Sequence, residues 1–344
     1  MNQPVKIAIS IAIAAVLMWF AFKEVDLQNV LNAAKGMSFG WIAPFFGLTL
    51  FAHYLRAERW RMLFAGAPVI PARFTLFTGV MFGYLSNIPV PRLGEITRPV
   101  YVARQIKESN SKLIGTIVLE RVIDLASLLI LMTFVGFFVI SDADILNRLF
   151  GIDFSDQETI TSIIKGLVFF GFAVFLMAAA AWFTLPMLLK WSPVQSFLER
   201  VKGIAIPFVQ GILSIRQLKN WPLFVMHTLL IWVAYVIMTY IPFWMFDLHT
   251  EFDLSIIDAL VLTMVSAVGI SIPTPGGVGS YHLFVTKALL ILYAVPEEIG
   301  LAYATIAHAA SLVVIVLSTP VFLSIEKYLN LGREAAALEP EARS

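Results

Sequence analysis

The sequence predicts an all-α polytopic membrane protein, with six spanning helices and two re-entrant helical hairpins arranged as an inverted repeat. Three observations carry that prediction. Of 344 residues, 59% are hydrophobic and 14% charged, and the apolar runs repeatedly reach the roughly 20 residues that cross hydrocarbon. Lys and Arg concentrate in some loops and are missing from others, as the positive-inside rule requires of alternating faces. Two Pro/Gly-rich motifs, IPVP at 88–91 and IPTP at 272–275, each follow an apolar segment too short to span, at an offset of 184 residues.

Residues 5–22 form the first predicted span. The run after Lys6 is long for a signal-peptide core, and KEVDLQNV behind it offers no small-residue cleavage site, so the helix is expected to be retained. The second span, 39–58, ends in a basic stretch with Arg56, Arg59, Arg61 and Arg73 against Glu58. These arginines, and Trp41, Trp60 and Trp191, fit a cytoplasmic loop and interfacial anchoring. Segment 74–88 then runs into NIPVPRLGEITRP, and 104–112 is basic again through Arg104, Lys107 and Lys112. A full span would put those two basic flanks on opposite faces. A hairpin, 74–88 in and 92–105 back, keeps both inside.

The next span, 113–140, opens TIVLERVIDLASLL. The loop 141–161 behind it is acidic and reads as outside. After the span 162–189, residues 190–220 are basic and read as inside; within them 194–219 has the pattern of an amphipathic helix on the cytoplasmic leaflet, bent or ended by Pro207. Span 221–246 leads to an outer loop without Lys or Arg, and 255–295 forms a second hairpin from that face. Span 301–325 closes the domain, with a charged cytoplasmic tail over 326–344. Both termini are placed inside, and the chain is read as a single membrane domain in the cytoplasmic membrane. Its first repeat unit is 1–140 and its second, inverted unit 162–325.

The repeat rests on identities in one register. The offset that pairs the two proline motifs also lays DLASLLIL (124–131) on HAASLVVI (308–315) without a gap. Each unit is two spans, a hairpin and a span, so the second begins after three crossings and must be inverted. Inverted repeats with broken helices near the midplane suit alternating access.

Composition excludes several chemistries. There is no cysteine, hence no disulfide and no thiol catalysis, and the five histidines show no metal-ligand spacing. A net charge of +1 offers nucleic acid no basic surface. No hydrolase motif and no aspartate-rich magnesium signature is present, so neither metal nor cofactor is expected.

The candidate site residues lie at the two tips and on the helix after the first. Pro89 and Pro91 remove backbone donors and Gly94 permits close approach; Pro273 and Pro275 mark the second tip. Arg92 and Arg98 have the geometry for phosphate, with a Glu95–Arg98 ion pair as the structural alternative. Gly276, Gly277 and Gly279 can turn backbone N–H groups toward an anion, or merely build a tight bend. Glu120 and Asp124 share a helical face beside Arg121, either as a salt-bridge cluster or with one carboxylate titrating. His308, the repeat mate of Asp124, and His282 are proton-carrier candidates or packing residues. Lys287 is expected to snorkel to the outer interface.

PRLGEITRP (91–99), LERVIDLASLL (119–129) and IPTPGGVG (272–279), in this order, resemble the family named for the transmembrane domain of lysylphosphatidylglycerol synthetases. The resemblance extends over most of the chain. Where that family commonly continues the second motif with Arg-Glu, this sequence has Tyr281 and His282. The resemblance implies a lipid flippase, here without the soluble aminoacyl-transfer domain, with phosphate-bearing membrane lipids as partners. Two other readings stay open: an integral-membrane enzyme acting on lipid head groups, and a scaffold for a lipid-synthesis enzyme. Substrate, direction, coupling and oligomeric state are not legible.

Overall fold

The structure, a computed structural model, describes residues 35–67, 69–138 and 203–338, with a few isolated positions elsewhere and the backbone alone over 137–138 and 330–338. The predicted spans 5–22 and 162–189 and the acidic loop 141–161 lie outside the described residues, isolated positions apart. Among the described residues all regular structure is helical. In chain order the helices are α1 (Ile42–Met62), α2 (Arg73–Asn87), α3 (Gly94–Ile106), α4 (Asn110–Phe138), α5 (Trp221–Met245), the short α6 (Leu248–Glu251), α7 (Ile256–Ser271), α8 (Ser280–Tyr293) and α9 (Glu297–Leu338).

Local chemistry sets the ends. Asn220 caps α5 by accepting from Leu223 N–H at 3.0 Å. Ser255 and Asp258 cap α7 reciprocally: Asp258 Oδ2 takes the Ser255 N–H at 2.8 Å, and Ser255 Oγ the Ile257 N–H at 3.3 Å. α3 stops at Lys107 and α8 at Ala294, both left-handed. Of the amphipathic helix expected at 194–219, residues 203–212 are helical straight through Pro207. The tail expected from Glu326 is helical as far as Leu338, and Glu326 is buried against Tyr101, whose hydroxyl donates to Glu326 Oε2 at 2.8 Å.

α2 and α3 pack antiparallel as one hairpin. Small residues make this possible: a Cβ on Gly83 would lie 2.9 Å from Arg98 Cβ, and one on Gly79 2.8 Å from Val102 Cγ2. Within lipid, such close backbone approach replaces the hydrophobic drive that water would supply. Asn87 Oδ1 accepts the Gly94 N–H at 2.6 Å and fastens the tip between them. α7 and α8 form the second hairpin, with Gly269 against Ser280 and Phe284 near the tip and the Tyr293 hydroxyl donating to Asp258 O at the open end.

The open ends of the hairpins lie at opposite ends of the bundle. Trp60 Nε1 donates to Thr116 Oγ1 at 2.8 Å and Arg73 pairs with Glu58, so the first hairpin opens where α1 ends and α4 begins. This end carries Arg61, Arg73, Arg104, Lys107 and Lys112. Ser38 N–H donates to Met245 O and Lys287 pairs with Glu297 at 2.6 Å, so the second opens where α5 ends and α9 begins. That end carries Asp247, Glu251, Asp253, Glu297 and Glu298. Lys287 therefore has a carboxylate partner instead of a purely interfacial position.

Helix boundaries also follow the offset of 184: α1 with α5, α2 with α7, α3 with α8 and α4 with α9. Trp60 and Trp244 coincide in that register. The exchange extends to packing, since α4 lies against α7 and α9 against α2, while α1 packs on α5. There are two hydrophobic cores, one around Trp60, Leu76, Met81 and Ile117 that also takes in Phe224 and Ile315, and one around Phe243, Leu262, Leu289 and Tyr303 that also takes in Phe45. The polar residues sit between and beside them.

The outer surface is apolar. Val118, Val122, Leu125 and Leu129 of α4 recur at helical spacing on one exposed face, as do Val225, Leu229 and Val233 of α5. A face of that size is unfavourable in water and ordinary in lipid. α5 and the Glu297–Leu329 part of α9 are long and apolar enough to cross a membrane.

Candidate functional site

Five charged side chains meet between α1, α3 and α4. Arg56 and Arg59, one turn apart on α1, face Glu120 and Asp124, one turn apart on α4. Asp124 is the hub: Arg56 Nη1 donates to Oδ2 at 3.0 Å and Arg59 Nη2 to Oδ1 at 2.7 Å. Glu120 stands in ion-pair contact with Arg98 Nη1 at 2.9 Å and Arg59 Nη2 at 3.5 Å. Arg59 and Glu120 are 0% and 1% exposed, and Arg56 and Arg98 are also buried.

Aromatic groups orient the cluster. The Arg98 guanidinium lies 4.0 Å over the Trp60 ring, held in plane by a cation–π contact. Arg56 Nη2 donates to the Tyr235 hydroxyl at 2.9 Å, which brings in α5. His53 packs on Tyr84 with ring centroids 4.3 Å apart.

The cluster is unbalanced. Three buried guanidiniums against two carboxylates leave one positive charge in excess. Its donors are also unspent: Arg56 Nε, Arg59 Nε and Nη1, and Arg98 Nε and Nη2 are buried without a hydrogen-bond partner, as is His53 Nδ1. Buried unpaired donors of a charged group are costly unless something occupies them. A monoanion with several acceptor oxygens is the chemical complement.

The remaining charges stand outside this core. Arg121 pairs with Glu95 at 3.4 Å, both partly exposed, and reaches Asp124 at 3.8 Å. The Glu95–Arg98 pair considered from sequence is thus not formed. Three residues apart on α3, the two side chains go to different partners on α4. Arg92 sits at the tip with φ of +61°, and its Nη2 donates to Ser271 O at 3.3 Å. This contact crosses from one hairpin to the other. A Cβ on Gly276 would lie 3.7 Å from Ile88 Cα, so the tips touch at backbone distance.

The second tip is built differently. Gly276, Gly277 and Gly279 have φ of +59°, +79° and +85°, conformations that glycine tolerates best. Two of their N–H groups are engaged inside the bend, Gly277 to Thr274 O and Gly279 to His282 Nδ1. Those two N–H groups serve the turn, not an external anion. Behind the bend His282 and His308 lie with ring centroids 5.2 Å apart, and Tyr281 lies 4.9 Å from His308.

Arg56 and Arg59 read from sequence as a positive-inside loop. They are instead inside α1, which runs to Met62 and buries both. The available signal was their spacing, which matches Glu120 and Asp124 turn for turn.

Residues 7–318 match the family described as lysylphosphatidylglycerol synthase TM region. The chain belongs to that family. It is therefore a membrane protein, and no synthase domain is detected in the 344 residues. No curated protein and no solved structure matches it. For this family member, the charge-bearing motifs of α3 and α4 converge on one cluster, while the Pro/Gly motif of the second hairpin meets the tip of the first. The match carries the association of that family with lipid movement in membranes, and not a substrate.

Proposed function

We propose that this protein is a lipid flippase of the cytoplasmic membrane, moving a phosphate-bearing lipid between leaflets with both termini on the cytoplasmic side. The observation that carries the proposal is the buried, positively unbalanced arginine cluster one helical turn behind a tip that touches a second tip from the opposite end.

α2 and α3, of 15 and 13 residues, reach about 20 Å at 1.5 Å per residue, short of the roughly 30 Å of hydrocarbon. Both hairpins then end within the membrane, which irregular backbone tolerates when it lies in protein or lines a polar path. The basic and acidic ends of the bundle fit inside and outside, respectively. Opposed hairpins in repeated units fit an inverted repeat, whose two halves can open alternately around one central site.

In this reading Arg56, Arg59 and Arg98 bind the phosphate. Glu120 and Asp124 hold the guanidiniums when the site is empty and release donors when it fills. Arg92 guides the head group across the tip contact, and the Glu95–Arg121 pair lines the approach. Pro89, Pro91, Gly94, Pro273 and Pro275 keep the tips short.

Purified protein in vesicles, assayed for leaflet distribution and lipid chemistry with a panel of phospholipids and a polyprenyl phosphate, tests this. Redistribution of chemically unchanged phosphate-bearing lipid is expected, lost on Arg98→Gln. Chemical conversion would point to the enzyme, and neither effect to the scaffold; either result overturns the proposal.

A further inference from the structure

The offset of 184 that superposes the helices lays Arg98 on His282 and Asp124 on His308. At the positions where the first unit carries fixed charges, the second carries imidazoles. Their neighbourhood is otherwise uncharged. Tyr281 of α8 lies against both rings, α7 contributes the hydroxyl of Ser271 at the same tip, and the one charge from the first hairpin is Arg92 on the Ser271 carbonyl. Among the described residues neither histidine forms an ion pair. The ring of His308 lies directly behind Gly277, at 3.4 Å from a Cβ built there, and its buried Nε2 has no hydrogen-bond partner.

His282 has a defined tautomer. The Gly279 N–H donates to Nδ1 at 3.4 Å, so that nitrogen carries a lone pair and the ring proton sits on Nε2. A second proton must enter at Nδ1. There the new N–H would oppose the Gly279 N–H, donor against donor, at the residue where the chain turns with φ of +85° into α8. Protonation and this tip geometry are therefore mutually exclusive.

We propose that His282 and His308 form the proton site of the transporter, binding one proton for each lipid anion that crosses the contact between the tips. This rests on the flippase reading and adds the coupling ion. The anion leaves the arginine cluster, whose excess charge held it, and meets the second tip, which has no fixed cation of its own. A proton taken from water on the acidic side supplies the charge and breaks the Gly279–His282 bond, so the tip rearranges only when the anion is compensated. Release of both to the other face restores the neutral imidazoles. Anion and proton move together, and the cycle is electroneutral.

The test uses the full chain in phosphatidylcholine vesicles with a trace of acyl-labelled phosphatidylglycerol, a pH dye inside, and a pH difference across the membrane. One proton per lipid predicts that about one pH unit holds about a tenfold lipid ratio between leaflets. Lipid entry should also move protons in the same direction. His282→Asn keeps an acceptor for Gly279 but cannot be protonated near neutral pH, and His308→Gln is close in shape. The double variant, checked for monodispersity and thermal unfolding, should lose both the pH-driven ratio and lipid equilibration, because no proton can then release the tip. Lipid equilibration by wild type without proton movement or any response to the gradient overturns the proton site alone, and needs no variant. Retention of the gradient response by the double variant also overturns it. Failure of wild type to move phosphatidylglycerol, other phospholipids or polyprenyl phosphate under any gradient overturns the flippase reading and the coupling together.

Discussion

Arg98 Nη1 and Glu120 Oε2 stand 2.9 Å apart, both side chains buried, yet neither oxygen of Glu120 has a hydrogen-bond partner. The pair holds by charge without alignment. Removing one partner of a buried ion pair strands the other, an effect of about 3–5 kcal/mol. Arg98→Gln should therefore lower the thermal unfolding midpoint in detergent. Arg98→Gln with Glu120→Gln should recover part of the loss, because Glu120 is then no longer left to Arg59 alone at 3.5 Å and Arg59 keeps Asp124. Arg98→Lys should fail to rescue transport, since ammonium offers neither the planar stack on Trp60 nor two donors to one phosphate. Equal unfolding midpoints for the single and double glutamine variants would contradict this account.

Arg121 and Glu95 make the contrasting case. Their side chains are 45% and 38% exposed, where water and salt screen the attraction and such a pair contributes at most about 1 kcal/mol. Glu95→Gln should leave the unfolding midpoint nearly unchanged. If the pair lines the approach to the cluster, its effect will appear in the dependence of transport on ionic strength, which Arg98→Gln should not share.

Gly94 and Gly47 separate close approach from simple helix propensity. A Cβ on Gly94 would lie 2.1 Å from the Gly83 carbonyl oxygen and 2.7 Å from its carbon, backbone atoms that cannot step aside. One on Gly47 meets nothing within 4 Å. Gly94→Ala should part the first hairpin and sharply reduce recovery of monodisperse protein, whereas Gly47→Ala should be neutral or stabilising by about 0.5–1 kcal/mol, as alanine gains in a helix interior. Comparable yields for the two variants would show that the Gly83–Gly94 contact is dispensable.

Hydropathy, proline position and loop charge made the helices legible, because each acts locally. The expected 74–88 and 92–105 became Arg73–Asn87 and Gly94–Ile106. The charge cluster was half legible. Glu120 and Asp124 stood out as carboxylates in an apolar run, but Arg56 and Arg59 lay where helix and loop compete, at the edge of a basic stretch. The apolar pattern weakens at residue 58, while the helix continues to Met62 because paired guanidiniums can be buried there. Partner choice was not legible at all. That Arg98 selects Glu120 over Glu95 depends on how α3 sits on α4, which spacing along one helix cannot express.

The contact between tips gives the most direct handle on the proposed cycle. The chain has no cysteine, so Ile88→Cys with Gly276→Cys introduces a single pair at the place where a Cβ on residue 276 would be 3.7 Å from Ile88 Cα. An approach that close brings the two backbones within reach of a disulfide, which spans Cα atoms about 4.4–6.8 Å apart. Cysteine at 276 must accept φ of +59°, a strain of about 1–2 kcal/mol that the single Gly276→Cys variant measures separately. If this tip-to-tip arrangement is one state of the cycle, mild oxidation should link the hairpins, detectable as a cross-linked peptide by mass spectrometry. Linked protein should hold the lipid site closed to one side and stop transport, and reduction should restore it. Since the bond joins the tips of the two hairpins, arrest requires that the tips move apart during transport. Full activity of quantitatively linked protein would mean that the tips stay together throughout, and that the lipid passes elsewhere.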